Sequence, residues 1–472
     1  MRVGAAVLAL ALVAGACTNG DESSDGSGLD GEATPAPAID VAAIATGEVI
    51  DYGPPPEYPD DPWSDETGAL LGTIVASLTN GLTPSEELEA VAATGDPRLI
   101  WALADLLRFS GGTTGTELTN AILALADIDV EPGRPWNSVV NHMIAWDIPV
   151  PPGYFTFKRD LYGRLDPRWG ELFTDANTID WRHVSWGGVF IDDRPEGSTD
   201  PCNCIPALDD PPVTPAGDGD WYPDERIVFG VVIDGEARAY PKNIMEVHEM
   251  VNDTLGGRRI AIPYCTLCGA AQAYYTDELG DDFEQPVMRT SGLLLRSNKM
   301  MYDLSSQSFV DTFVGDATAG PLLEAGVQFE QVSVVTSTWA DWKDAHPDTT
   351  IVAEDGGRGR VYPLDPLRGR DDDGPIFPIG DVDPRLPVQE PVLGLIGDDG
   401  DAVAVHVASA VMLLDAGEEV TVEGFRIRRD GSGIRADRAD GSDAGGHQAF
   451  WFAWSQFRPR TALWPHDFVS DS

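Results

Sequence analysis

Between residues 68 and 147 apolar positions recur at three- and four-residue spacing, the period of helices that bury one face. TPSEELEAVAA places Thr83 as an N-cap, Pro84 at the first helical position and Glu86 as the closing residue of a capping box. DPRLIWALADLLRFSGG repeats the device with Asp96 and Pro97 and stops at Gly111-Gly112, and TELTNAILALADI and WNSVVNHMIAW predict two further helices. From about residue 220 the pattern becomes that of strands. RIVFGVVIDGEARAY is two apolar runs joined at Asp234-Gly235, a hairpin signal. RRIAIPY, AQAYYTD, VQFEQVSVVT and EEVTVEGFRIRRD are further strand candidates. The fold class expected is α+β: a small N-terminal helical domain over 63–175, then a mainly-β region over 180–472.

The mainly-β region carries an internal similarity. VFGVVIDGEARAYP (228–241) recurs as VLGLIGDDGDAVAVH (392–406), and WADWKDAHPDTTI (339–351) as WFAWSQFRPRTAL (451–463). The second pair aligns Trp339 with Trp451, Trp342 with Trp454, Pro347 with Pro459 and Thr349 with Thr461. A degenerate duplication is therefore expected, with units 225–352 and 388–464. The first unit alone carries EVHEMVND, a Cys-x-x-Cys pair and TSGLLLRSNKMMYD, so special chemistry is expected there.

The N-terminus changes the context of that chemistry. Met1 and Arg2 precede the apolar run VGAAVLALALVAGAC, which has the form of an export signal. It is shorter than the roughly 20 apolar residues a membrane span needs. Cys17 after Ala14-Gly15-Ala16 predicts a lipoprotein: a signal peptide over 1–17, lipid on Cys17, and a disordered tether over 18–62 rich in Gly, Ser, Asp and Pro. The expected location is extracytoplasmic, with the membrane as partner through the lipid anchor. Asp and Glu total 78 against 31 Lys and Arg, a net charge of −47, which excludes nucleic acid as a partner because such a surface repels phosphate.

Outside the cytoplasm thiols end as disulfides or metal ligands, and four cysteines remain: Cys202, Cys204, Cys265 and Cys268. Three readings stand open. In a redox reading Cys265 is the attacking thiolate and Cys268 the resolving thiol, with an unidentified thiol redox partner and with Arg296 and Lys299 as cations able to hold the thiolate. In a metal reading Cys265, Cys268 and His248 bind zinc or cuprous copper, since thiolate and imidazole donors suit both; Cys202 and Cys204 could add to the set, and Glu249 could orient the imidazole. In a structural reading all four form disulfides, a bridge across the two pairs being sterically easier than a Cys-x-Cys ring. His248 with Glu249, Asn252 and Asp253 forms a second group, equally compatible with acid/base chemistry and with a hydrogen-bonded turn. Ser291 lacks a Gly-x-Ser-x-Gly elbow, which argues against a serine hydrolase. The leading expectation is a thiol redox protein or Cys/His metal site centred on Cys-x-x-Cys; the competing one is a non-enzymatic surface protein with structural disulfides.

The blocks GVVIDGEARAYP, HEMVNDTLGG, PYCTLCGAAQAY, SGLLLRSNKMMYD and TWADWKDAHPDT together resemble the domain of unknown function 3179 family, uncharacterised proteins of bacteria and archaea. The resemblance runs from about residue 180 to the C-terminus. It implies no established activity, but it implies a reactive chalcogen at the positions of Cys265 and Cys268. Cys202 and Cys204, in DPCNCIPALDDPP, stand outside the shared pattern.

Overall fold

Asp96 accepts a hydrogen bond from the Arg98 N–H and Pro97 fixes φ, so the chain enters a 3-10 turn, Pro97–Leu99, that feeds the helix Ile100–Arg108. The neighbouring cap differs from expectation. The Thr83 hydroxyl pairs with that of Thr114, and the helix Ser85–Ala92 starts behind Pro84 without a side-chain cap. These features belong to a computed structural model that describes residues 39–174, 177–280, 283–370 and 374–468. The signal peptide, Cys17 and the tether up to residue 38 lie outside the described residues. Of the stretch that follows, Gly47 donates to the Pro384 carbonyl at 2.9 Å and Tyr52 to that of Gly380 at 3.2 Å. Among the described residues no helix is long and apolar enough to cross a membrane.

The chain is mostly β, with five sheets in a five-blade propeller arrangement plus helices. This corrects the expected fold class of a helical domain followed by a duplicated β region. Helices do run from Asp65–Thr79 to Pro167–Leu172, but they have no core of their own. Leu71, Trp101, Leu118 and Trp169 share one apolar cluster with Leu293, Met300, Tyr302 and Phe309 of the first sheet. Trp169 also donates its indole N–H to the Ser291 carbonyl at 2.7 Å. Helices and sheets form one compact unit. An amphipathic helix buries its stripe on whatever apolar face is adjacent, and here that face is a sheet.

The first sheet orders Val184–Trp186, Met288–Leu295, Asn298–Asp303, Ser308–Asp311 and Asp316–Ala319, all antiparallel. The second places Arg258–Cys265 between Met250–Leu255 and Ala273–Tyr275. The third contains the hairpin Ile227–Ile233 and Glu236–Pro241, joined as read at Asp234 (φ 49°) and Gly235 (φ 84°), with Val335–Thr338 and Thr350–Val352 beside it.

The fourth sheet explains the internal similarity. His447–Phe450, Pro391–Ile396, Ala402–His406 and Ala462–Trp464 pair in the same order and senses as the corresponding four strands of the third sheet. In both, a tryptophan lies on a glycine. A Cβ on Gly230 would sit 2.3 Å from the Trp342 ring, and one on Gly394 would sit 2.0 Å from that of Trp454. The indoles donate to Thr349 at 3.0 Å and Thr461 at 2.9 Å. The likeness is thus confined to two sheets of the five, and the region is not a doubling of one unit.

Candidate functional site

The strand Arg258–Cys265 is buried from Ile260 onward and delivers Cys265 to a hairpin, where Cys265 pairs with Ala270 across the turn Thr266–Gly269. Gly269 has φ 58°, and a Cβ there would lie 2.8 Å from the Phe450 ring, so only glycine fits. The Phe450 N–H bonds the Cys268 carbonyl at 2.8 Å and pins the turn. Both cysteines are free, 1% and 0% exposed, and lie in an apolar cluster with Phe313, Val392, Trp451 and Trp454.

The two sulfurs converge on one acceptor, the Ser297 carbonyl oxygen, at 3.3 Å from Cys265 Sγ and 3.4 Å from Cys268 Sγ. Ser297 follows Arg296, whose φ of 54° turns the chain between the strands Met288–Leu295 and Asn298–Asp303. Burial raises a thiol's pKa, yet Cys265 lies below its ordinary value. The Cys268 thiol and the backbone N–H groups of Cys268, Leu267 and Lys299 all donate toward its sulfur. Cys268 lies well above the ordinary value because of burial and the neighbouring Cys265. Of the two thiols Cys265 is therefore the more acidic and Cys268 the less acidic.

His248 is placed elsewhere. It ends the helix Lys242–His248, with Nδ1 2.6 Å from the Pro206 carbonyl and Nε2 2.6 Å from the Tyr362 hydroxyl. Burial depresses its pKa to about 4, so the ring is neutral, donating through Nδ1 and accepting through Nε2. Neither nitrogen is left for the sulfurs. Among the described residues, the group of three donors within 4.8 Å of one another is Asp192, Cys202 and Cys204. Those two cysteines are bonded to each other, Cys202–Cys204, rather than across to Cys265 and Cys268 as expected. The bend at Asn203 brings the two together, while Cys265 and Cys268 stay enclosed in the core. Asp192 itself serves Arg194 at 2.6 Å and the Ala207 N–H at 3.0 Å. A four-donor zinc site is thus not assembled from these side chains among the described residues.

Other expected roles are redistributed as well. Glu249, at φ 56° behind the helix, pairs with the Lys299 ammonium and not with His248. Lys299 reaches Cys265 through its backbone N–H, and burial lowers its ammonium pKa. Asn252 joins Asp209 and Met288, and Asp253 joins Arg238 and Tyr240, so both are structural. Two features escaped sequence reasoning: the Ser297 carbonyl, which is a backbone atom, and a cavity of about 360 Å³. The cavity is lined by Thr266 and Leu267 of the cysteine turn, by Glu249 and Lys299, and by Ser291 and Met301. Its walls thus come from HEMVND, PYCTLC and SGLLLRSNKMM, and their meeting was the available signal.

Asp311, paired with Met300 across the first sheet, has its carboxyl pushed up to about 6. Burial outweighs the bond from the Phe313 N–H at 2.9 Å; Asp316 adds to the rise and Arg458 opposes it. Its charge also acts on Cys268 and Arg296. The folded value exceeds the unfolded value of about 3.9, so the folded state binds the proton more tightly and stability falls as pH rises from about 4 to 6. Asp311→Asn is accordingly expected to stabilise the protein by roughly 1–3 kcal/mol at pH 7 and to change little at pH 4. Denaturant titrations of both proteins at the two pH values check this. The depressed values of His248 and His447 act in the opposite sense but cancel in the difference.

A mostly β protein with two free, buried cysteines on one hairpin turn beside a cavity is the class that fold and site define. The family model described as "Protein of unknown function (DUF3179)" matches residues 202–423, and the chain belongs to that family over this span, which contains both cysteine pairs and the cavity's motif segments. No curated protein and no solved structure matches the chain.

Proposed function

We propose that the protein performs thiol–disulfide redox chemistry through Cys265 and Cys268. The observation that carries this reading is the convergence of two free, neighbouring thiols on one carbonyl, Cys265 being the more acidic of the two. A nucleophile with a lowered pKa beside a protonated partner is the arrangement a dithiol needs to attack a disulfide and then resolve the mixed disulfide. In the balanced reaction the protein dithiol becomes a Cys265–Cys268 disulfide and the substrate disulfide becomes two thiols. Two electrons and two protons pass to the substrate.

The test is intact-mass and peptide mapping of native protein equilibrated across glutathione redox buffers. The expected result is a reversible loss of two hydrogens confined to the Cys265–Cys268 peptide, with Cys202–Cys204 unchanged. A pair that stays reduced under oxidation and becomes reactive only in denaturant would overturn the reading. The same outcome would favour the second reading, purely structural thiols, which the near-zero exposure of both sulfurs supports.

A further inference from the structure

Resting on the dithiol reading, we infer that the substrate is a low-molecular-weight disulfide with an apolar or aromatic body, bound in the 360 Å³ cavity, and not a disulfide of another protein. Three observations lead there.

First, attack on a disulfide needs the sulfur nucleophile in line with the S–S bond at contact distance. With Cys265 1% and Cys268 0% exposed, a disulfide on the surface of a folded protein has no path to either sulfur, and one bound in the cavity reaches Cys265 only when the layer between them, Thr266 and Leu267, gives way.

Second, the cavity lies one layer from the pair. Thr266 and Leu267, the two residues between the cysteines, form part of its wall, as does Lys299, whose backbone N–H donates to Cys265. Thr266 is buried and Leu267 half-buried, so access to Cys265 requires the Leu267 side chain, the less enclosed of the two, to move aside. The flanking cysteines are held more firmly, by the Ser297 carbonyl and the Phe450 N–H.

Third, the volume and lining select the ligand. About 360 Å³ is at the small end of the roughly 300–1,000 Å³ of ligand pockets. Leu293, Leu294 and Met301 provide an apolar and polarisable wall that favours an apolar or aromatic body. Lys299 pairs with Glu249, and the two other charged residues of the lining, Glu246 and Arg370, are of opposite sign, so the formal charges around the cavity balance.

In the first step the Cys265 thiolate attacks one sulfur of the bound disulfide, forming a mixed disulfide and expelling one substrate thiolate. Cys268 then gives up its proton and attacks Cys265 Sγ, closing the protein disulfide and expelling the second thiolate.

The experiment uses wild-type reduced protein with three oxidants: dithiodipyridine as a small aromatic disulfide, glutathione disulfide as a charged peptide one, and insulin as a protein one. Each rate is divided by that of free cysteine with the same oxidant, which removes intrinsic reactivity. Dithiodipyridine is expected to be favoured by at least about tenfold over glutathione disulfide, with insulin slower still. Dipyridyl thioether, of the same shape without an S–S bond, is expected to compete. Equal normalised rates, a faster reaction with insulin, or absence of competition would overturn this inference while leaving the dithiol reading in place. If none of the three oxidises Cys265 and Cys268 reversibly, it is the dithiol reading that fails.

Discussion

Cys268→Ser is expected to accumulate a stable mixed disulfide on Cys265 when treated with a small disulfide, whereas Cys265→Ser is expected to form none. The serine hydroxyl can replace the donor that Cys268 supplies to Cys265, so the thiolate persists; what is lost is the sulfur that resolves the adduct. In the reciprocal variant the remaining thiol is Cys268, whose pKa burial holds well above the ordinary value even when Cys265 is gone. A raised pKa leaves less thiolate at pH 7, so its reaction is expected to be markedly slower than that of Cys265. Intact mass after quenching separates the two outcomes directly. Adducts of equal yield on both variants would mean that the asymmetry of the pair is not used.

The largest effect on stability is expected at Lys158, far from the sulfurs. Its ammonium, 0% exposed, lies 2.8 Å from Asp105 Oδ1 and 3.1 Å from the Tyr154 hydroxyl, which donates to Asp105 Oδ2 at 2.7 Å. Burial pushes the carboxyl up and the ammonium down, and each holds the other charged. Lys158→Ala leaves Asp105 buried without its counter-charge and opens a void among the helices, a loss of about 3–5 kcal/mol. The double replacement Asp105→Leu with Lys158→Met removes both charges and is expected to recover much of the loss, since well-packed apolar groups commonly equal a buried ion pair. Denaturant midpoints for the three proteins check this; a single variant within 1 kcal/mol of wild type would show that water reaches Asp105.

Local elements were legible where one residue type has one physical role. Asp96-Pro97 starts a helical turn because a carboxylate can cap it and proline can open it, and Asp234-Gly235 closes a hairpin because both adopt positive φ. The matched tryptophans 342 and 454 occupy matched places because each needs a glycine beneath it and a threonine hydroxyl for its indole. At the site, Cys265 and Cys268 stood out by their spacing, and the hairpin turn brings both sulfurs to the Ser297 carbonyl. His248 stood out equally, yet a histidine's role depends on what its two nitrogens meet, and Pro206 and Tyr362 are 42 and 114 residues away in sequence.

By itself, then, the amino-acid order determined the Asp234-Gly235 hairpin, the Asp96 cap, the close spacing of the cysteines and the net negative charge, because these follow from neighbours or from composition. Only the tertiary structure decided that the helices share a core with a sheet, that five sheets replace a doubled unit, and that Cys202 bonds Cys204. It also decided that Ser297 and a cavity adjoin the dithiol while His248 does not. Each of those outcomes depends on which distant surfaces bury one another, and a periodicity states that a face is apolar without naming the face that will cover it.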